Sequence, residues 1–256
     1  MGQSYNPFSL AGKTILVTGA SSGIGRATAI ECAKMGATVI LSAIPEESDM
    51  LQDVLEALEG NGHAIVLADL KSEDEIRALA THVGMLDGVV FAAGTLSVKP
   101  LAYYSMKSIQ DAFSVNTFAC MSLTKELVKA KMLKENSSLV FISSVASGSV
   151  TAKALGLYSA SKAALDSFSR QCAVELADRN IRSNTINPGM VRTDLTANNT
   201  IYSIEDVLAT SSEKLSLFKR FGLPEEISWC AVYLLSDASA FVTGASFVID
   251  GGLHLI

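Results

Sequence analysis

With 256 residues, 49% of them hydrophobic, the chain is long enough to bury a full core and reads as one domain spanning residues 1–256. A net charge of −6 and a sequence pI near 5.1 argue against an electrostatic role on nucleic acid or on an anionic membrane surface. Cys32, Cys120, Cys172 and Cys230, like His63, His82 and His254, lie scattered, which argues against a disulfide frame and against metal-ligand spacing. No basic leader and no apolar run of membrane-spanning length is visible, so the expectation is a soluble, cytoplasmic protein without a metal.

Short β-branched apolar runs predict strands at 14–18, 38–41, 64–68, 88–91, 139–142, 182–186 and 246–249. Patterns of helical period predict helices at 24–35, 49–58, 73–82, 106–133, 157–178 and 224–235, the last opened by Pro224 in its first turn. The strands are continuously rather than alternately apolar, so both of their faces are expected to be buried. Strands alternating with helices then predict a doubly wound α/β fold: a Rossmann-type three-layer sandwich around a seven-stranded, mainly parallel sheet. Between Pro188 and Pro224 the alternation breaks. There the turn signals of Ala197-Asn198-Asn199-Thr200 mix with Leu195, Ile201, Tyr202 and Leu208, predicting a partly helical substrate lid at about 190–222 within the domain. Lys125, Lys129, Lys131 and Lys134 read as a solvated helix face, with docking of an acidic partner as the alternative.

Directly after the first strand, Thr18-Gly19-Ala20-Ser21-Ser22-Gly23-Ile24-Gly25 leads into a helix. A strand, a Gly-rich turn and a helix in this order let helix N-terminal N–H groups and the helix dipole face a pyrophosphate, with Ser21 and Ser22 as further hydroxyl donors. No Lys-Ser/Thr pair follows for terminal phosphates and magnesium, which argues against nucleoside triphosphate hydrolysis. Farther on, Tyr158 and Lys162 stand four apart on a predicted helix, which stacks a phenol and an ammonium on one face. A positive charge about 4 Å from the phenol is worth about 4 kcal/mol at an effective dielectric near 20. That would draw the phenol from its ordinary pKa of about 10 toward neutral pH before desolvation is subtracted. Taken alone, such a pair is more often a packed phenol beside a lysine that reaches solvent.

Together, the loop from Thr18 to Gly25 and the Tyr158/Lys162 pair closely resemble the classical short-chain dehydrogenase/reductase family, over about residues 12–252. The resemblance implies a catalytic group of Asn116, Ser144, Tyr158 and Lys162, with Ser143 as the alternative to Ser144. It implies hydride transfer between a nicotinamide and a carbonyl or secondary-alcohol carbon, with Tyr158 exchanging the proton on oxygen and Ser144 hydrogen-bonding that oxygen. Lys162 is implied to lower the phenol's pKa and bind the nicotinamide ribose, and Asn116 to hold a water in a proton relay. The implied cofactor contacts are Gly19, Ser21, Ser22, Gly23, Ile24 and Gly25 in the loop, Ser42 at the second strand, and Asp69 and Leu70 beside the adenine. Ala92, Ala93 and Gly94, then Tyr158 and Lys162, then Pro188, Gly189, Val191 and Thr193 complete the set.

Two departures qualify the resemblance. The family's Asn-Asn-Ala-Gly is Phe91-Ala92-Ala93-Gly94 here, so two side-chain amides are missing and Phe91 must find packing instead. At the end of the second strand, Ser42-Ala43-Ile44 offers no carboxylate for an NAD ribose diol, while Ser22 stands where many NADP-dependent relatives carry Arg or Lys. The expected cofactor is NADP(H) or NAD(H), with NADP(H) slightly favoured and Glu46 and Glu47 counting against it.

Thr95, Leu96, Ala146, Ser147, Leu155, Met190 and Leu195 are expected around the substrate and are mostly small or apolar, which suits an acyl or alicyclic ketone. The resemblance is greatest to the 3-oxoacyl-acyl-carrier-protein reductase type. A hydroxysteroid or broad secondary-alcohol dehydrogenase is the alternative, and a catalytically idle nucleotide-binding scaffold is the reading from another class. The resemblance implies a homotetramer or homodimer, formed through the helices at 106–133 and 157–178 and at the C-terminal end, where the tail Leu253-His254-Leu255-Ile256 supplies an apolar contact or, as the equal alternative, is buried within one subunit.

Overall fold

The computed structural model describes residues 5–193 and 215–256. The apolar runs pair side by side in parallel, as expected of strands whose backbones have no solvent-facing side. β1 (Thr14–Thr18) lies between β2 (Thr38–Ser42) and β4 (Leu86–Phe91), and β3 (Ala64–Ile65) sits outside β2. Beyond β4 follow β5 (Leu133–Ile142), β6 (Arg182–Pro188) and β7 (Ser246–Ile249). The strand order is 3-2-1-4-5-6-7 and every pairing is parallel.

Parallel neighbours need crossovers, and the helices that supply them cover both faces. On one face pack α1 (Gly23–Lys34), α2 (Ser48–Glu56) and α7 (Pro224–Leu235); on the other pack α3 (Glu73–His82), α5 (Cys120–Lys129) and α6 (Gly156–Glu175). β5 shows why its strand reads as continuously apolar. Val140 and Ile142 enter the first core, while Leu139 and Phe141 enter the second.

The helix expected at 106–133 is broken into parts. α4 (Met106–Phe113) runs into a π-helical turn, Ser114–Ala119, before α5 begins. Lys131 then adopts φ +57°, and Leu133, fully buried, already belongs to β5. Lys134 therefore leaves the expected lysine face and pairs with Asp87 at 2.7 Å. β3 is shorter than expected, yet Val66 and Ala68 still donate to Leu41 O and Ala43 O along β2. The helix expected to reach 178 ends at Glu175, and a 3-10 turn closes on Asn180 in the left-handed region.

Residues 194–214, which carry most of the expected lid together with Leu195, Asn198 and Tyr202, lie outside the described residues. The flanks of that segment are clamped together: Val191 bridges to Gly222, and Arg192 N–H donates to Gly222 O at 3.0 Å. No helix among the described residues is long and apolar enough to cross a membrane.

Candidate active site

The strand order reverses between β1 and β4, so the connections that follow these two neighbours leave in opposite directions and a crevice opens at their carboxyl ends. It is a cleft of about 930 Å³, lined in turn by the loops after β1, β2, β3, β4, β5 and β6. One end is walled by the Gly-rich loop. Gly19 and Gly23 hold φ of +63° and +52°, which L side chains rarely adopt. A Cβ on Gly19 would lie 2.7 Å from the backbone of Ala93, and one on Gly25 would lie 2.0 Å from Gly19 O. Glycine thus lets the loop after β1 close against the loop after β4 and against its own helix. These residues fit a dinucleotide: a side-chain-free cradle opens onto the N-terminus of α1, where N–H groups can donate to a pyrophosphate.

The other expected contacts fall mainly along the same cleft. Ser21, Ser22, Ile24, Asp69, Leu70, Ala92, Gly94, Pro188, Gly189, Val191 and Thr193 all line it. Ser42 does not. Its side chain is 1% exposed, its Oγ has no hydrogen-bond partner, and Ala43, Ile44, Glu46 and Glu47 form the wall in its place. Period-two alternation explains the miss, because Ser42 is still in register with Thr18 in the sheet. Phe91, in the place of the family amide, stacks on Phe141 with centroids 4.4 Å apart and is 2% exposed.

At the deep end, α6 brings Tyr158 and Lys162 to the cleft on successive turns. Ser144 follows β5 and lines the cleft with Tyr158, its Oγ accepting from Ala146 N–H at 3.1 Å, while the hydroxyl of Ser143 donates to Lys162 O at 3.2 Å. Ser143 is thus committed to the helix, which leaves Ser144 as the serine beside the phenol. Lys162 is 5% exposed, donates from Nζ to Ile142 O at 2.8 Å, and lies 5.9 Å from the Tyr158 ring centroid. Burial pushes the phenol above its ordinary pKa despite the opposing effect of the Ser144 side chain, and burial pulls the Lys162 ammonium below its own. The expected pull of Lys162 on the phenol toward neutral pH is offset here by burial. Desolvation outweighs a charge that points to a backbone carbonyl.

Asn116 sits in the π-helical turn, fully buried, and does not line the cleft. Its Oδ1 accepts from Thr95 N–H at 2.8 Å, and its Nδ2 donates to Thr95 O and to Ser161 Oγ, each at 3.0 Å. Both amide hydrogens are thereby engaged, while Oδ1 keeps a second acceptor position. A Cβ on Gly94 would meet Asn116 Oδ1 at 3.2 Å and Lys162 Nζ at 3.4 Å, so glycine keeps the loop after β4 against both.

Sequence reasoning passed over a polar cluster behind Ser144. Asn187 Nδ2 donates to Ser144 O at 3.2 Å, to Ser147 Oγ at 2.9 Å and to Asp166 Oδ2 at 3.0 Å. Asn187 directly precedes Pro188-Gly189, and Asp166 stands one turn beyond Lys162 on α6, a spacing of four that signals a shared face. Among the described residues no group of three or more His, Cys, Asp or Glu could hold a metal ion.

Comparison with known proteins agrees with this architecture. The family model described as enoyl-(acyl carrier protein) reductase matches residues 19–254. The 3-oxoacyl-[acyl-carrier-protein] reductase FabG of Thermotoga maritima is 35% identical over 249 residues, covering 95% of this chain and 98% of that protein. Cyclopentanol dehydrogenase of Comamonas testosteroni is 32% identical, covering 94% of this chain and 96% of that protein. The solved RhlG/NADP active-site complex of Pseudomonas aeruginosa superposes with a TM-score of 0.87 at 31% identity, covering 98% of this chain and 100% of that one. The chain belongs to the short-chain dehydrogenase/reductase family of NAD(P)-dependent oxidoreductases acting on CH–OH groups.

Proposed function

We propose that this chain reduces a ketone, of the 3-oxoacyl type, to a secondary alcohol, with Asn116, Ser144, Tyr158 and Lys162 as its catalytic group. The observation that carries the reading is that Ser144, Tyr158 and Lys162 line the same cleft as the Gly-rich loop. A reduced nicotinamide bound in the cleft would supply hydride to the carbonyl carbon. Ser144 then donates a hydrogen bond to the carbonyl oxygen, and Tyr158 gives its phenolic proton to that oxygen as charge develops there. Lys162 holds the sheet edge through Ile142 O, and Asn116 holds the loop bearing Thr95.

Thr95, Leu96 and Val98 line the cleft beyond Tyr158 and are small or apolar, which supports an acyl or alicyclic substrate. The reductase from Thermotoga maritima supports the acyl reading, whereas the dehydrogenase from Comamonas testosteroni supports the second, a secondary-alcohol dehydrogenase. The bound NADP of the Pseudomonas aeruginosa complex favours NADP(H); Glu46 and Glu47 in the cleft wall oppose it. Exposed Phe118, Val174 on α6, and Val248 on the edge strand β7 support a homotetramer or homodimer.

The test is turnover of acetoacetyl thioesters and of cyclic ketones with NADPH and with NADH, alongside Tyr158→Phe. Reduction of the thioester, lost in Tyr158→Phe, is the expected result. Oxidation of secondary alcohols with no thioester reduction would move the second reading ahead, and nucleotide binding without turnover of any substrate would support the idle scaffold.

A further inference from the structure

The segment that carries Ser144 is fastened to α6 on either side of that residue. The Ser143 hydroxyl donates to Lys162 O at 3.2 Å, and the Ser147 hydroxyl donates to Asp166 Oδ2 at 2.5 Å, the short distance of a charge-assisted bond. Ser143 and Ser147 stand four apart, as do Lys162 and Asp166, so the turn after β5 runs along one face of the helix. Ser147, expected around the substrate, thus turns its hydroxyl to Asp166 and does not line the cleft.

A third tie comes from β6. Asn187, 4% exposed, donates from Nδ2 to the same Asp166 Oδ2 at 3.0 Å and to Ser144 O at 3.2 Å, while its Oδ1 accepts from the Thr185 hydroxyl at 3.0 Å. Asp166 Oδ2 therefore orients the carboxamide that holds the Ser144 carbonyl. The other oxygen of this carboxylate, Oδ1, is buried without a hydrogen-bond partner. An oxygen left unpaired in this way costs free energy, which a residue chosen for packing alone would avoid.

Taking Ser144 as the group that hydrogen-bonds the reacting oxygen, as proposed above, we infer that Asp166 is a positioning residue of the reaction: through Asn187 and Ser147 it fixes the Ser144 turn against α6. Asp166 itself does not line the cleft, so it acts through Ser144 and not on the substrate. A misplacement of about 1 Å at a reacting group can cost about 100-fold in rate, which makes such a brace visible in turnover.

The experiment compares wild type, Asp166→Ala and Asp166→Asn, each with Ser144 intact and as Ser144→Ala. Reduction of an acetoacetyl thioester and of a cyclic ketone is followed with NADPH and with NADH, at a temperature where melting curves show every variant folded. Asp166→Ala is expected to lower kcat about 10- to 100-fold with the KM for nucleotide within about twofold of wild type. Asp166→Asn, which keeps an acceptor oxygen, is expected to recover kcat to within about threefold of wild type. In the Ser144→Ala background, Asp166→Ala should cost less than about threefold more, because the group it positions is gone. In ligand-free protein, amide exchange at Ala146, whose N–H donates to Ser144 Oγ at 3.1 Å, should quicken in Asp166→Ala.

An undiminished kcat in Asp166→Ala, or equal losses with and without the Ser144 hydroxyl, overturns the inference while leaving the proposed reaction intact. A loss as large in Asp166→Asn as in Asp166→Ala assigns the effect to the Asp166 charge acting on Lys162 and overturns the route through Ser144. If Asp166→Ala does not fold, Asn187→Ala, which cuts the same brace from β6, takes its place under the same criteria. Reduction of neither ketone by the wild type overturns the proposed reaction itself, and the inference with it.

Discussion

The carboxamide of Asn116 is bound at both ends to the main chain of Thr95, its Oδ1 accepting at 2.8 Å and its Nδ2 donating at 3.0 Å. The two residues come from different layers, Thr95 from the loop after β4 and Asn116 from the π-helical turn between α4 and α5. The clamp sets how far the loop bearing Gly94 can move from Lys162. Removing it in Asn116→Ala leaves the main chain of Thr95 with unpaired polar groups. The expected cost is about 2 kcal/mol, or about 4–8 °C in melting temperature for a chain of this size. Thermal unfolding checks it, and an unchanged melting temperature would show that the loop is held by other means.

Tyr158→Phe removes the proton and keeps the ring. Reductive turnover is expected to fall by about 10²–10⁴-fold, the usual worth of a positioned general acid. The raised phenol also makes a statement about pH. In ligand-free protein the tyrosinate absorbance attributable to Tyr158, taken as wild type minus Tyr158→Phe, should appear above its ordinary pKa of about 10. Ionisation near neutral pH would mean that Lys162 overcomes desolvation after all.

Replacing Phe91 by the amide usual in the family is expected to harm this chain. Phe91 stacks on Phe141, which in turn meets Phe168 edge-on at 5.8 Å, so an amide would enter an apolar stack without partners. Phe91→Asn should cost about 3–5 kcal/mol, in the range of large-to-small aromatic truncations, read from the shift in denaturant midpoint. A neutral or stabilising result would show that the strand edge has a polar partner waiting.

Arg220 makes a bidentate pair with Glu226, both contacts at 2.7 Å, and Glu226 also accepts from Leu223 N–H at the start of α7. The Arg220 hydrogen bond is the largest cause holding the carboxyl down to about 2, well below its ordinary value. A depressed folded-state value means that stability is fully present above the ordinary carboxyl pKa and is lost as pH falls through about 2. The pair is open to solvent, which screens it and keeps its contribution small. Melting temperatures of the wild type and Glu226→Gln should differ at pH 7 and converge as pH drops from 4.5 toward 2; a gap that persists at low pH would show that the carboxylate charge is not what stabilises the turn.

Much of the fold was legible from local pattern. Strand cores such as 14–18 and 182–186 were readable because burial on both faces leaves an unbroken β-branched run, and the crossovers follow from parallel pairing. The break inside the helix expected at 106–133 was not legible. Residues 114–119, Ser-Val-Asn-Thr-Phe-Ala, are mostly weak helix formers, but low propensity does not specify a π turn, which here accompanies Asn116 and Thr117 bonding to Thr95 and to Ser161. Likewise Asn187 reads as a turn residue before Pro188 until β6 sets it behind Ser144.

Spacing within one element or one turn is enough to specify the doubly wound layers, the glycine cradle and the pairing of Tyr158 with Lys162. What those groups experience depends on packing between elements. The direction of Lys162 toward Ile142 O, the rise of the Tyr158 phenol, the clamp of Asn116 on Thr95 and the anchoring of Ser147 by Asp166 all join residues from different elements. Desolvation and hydrogen bonding act through space rather than along the chain, so these relationships exist only once the layers have packed.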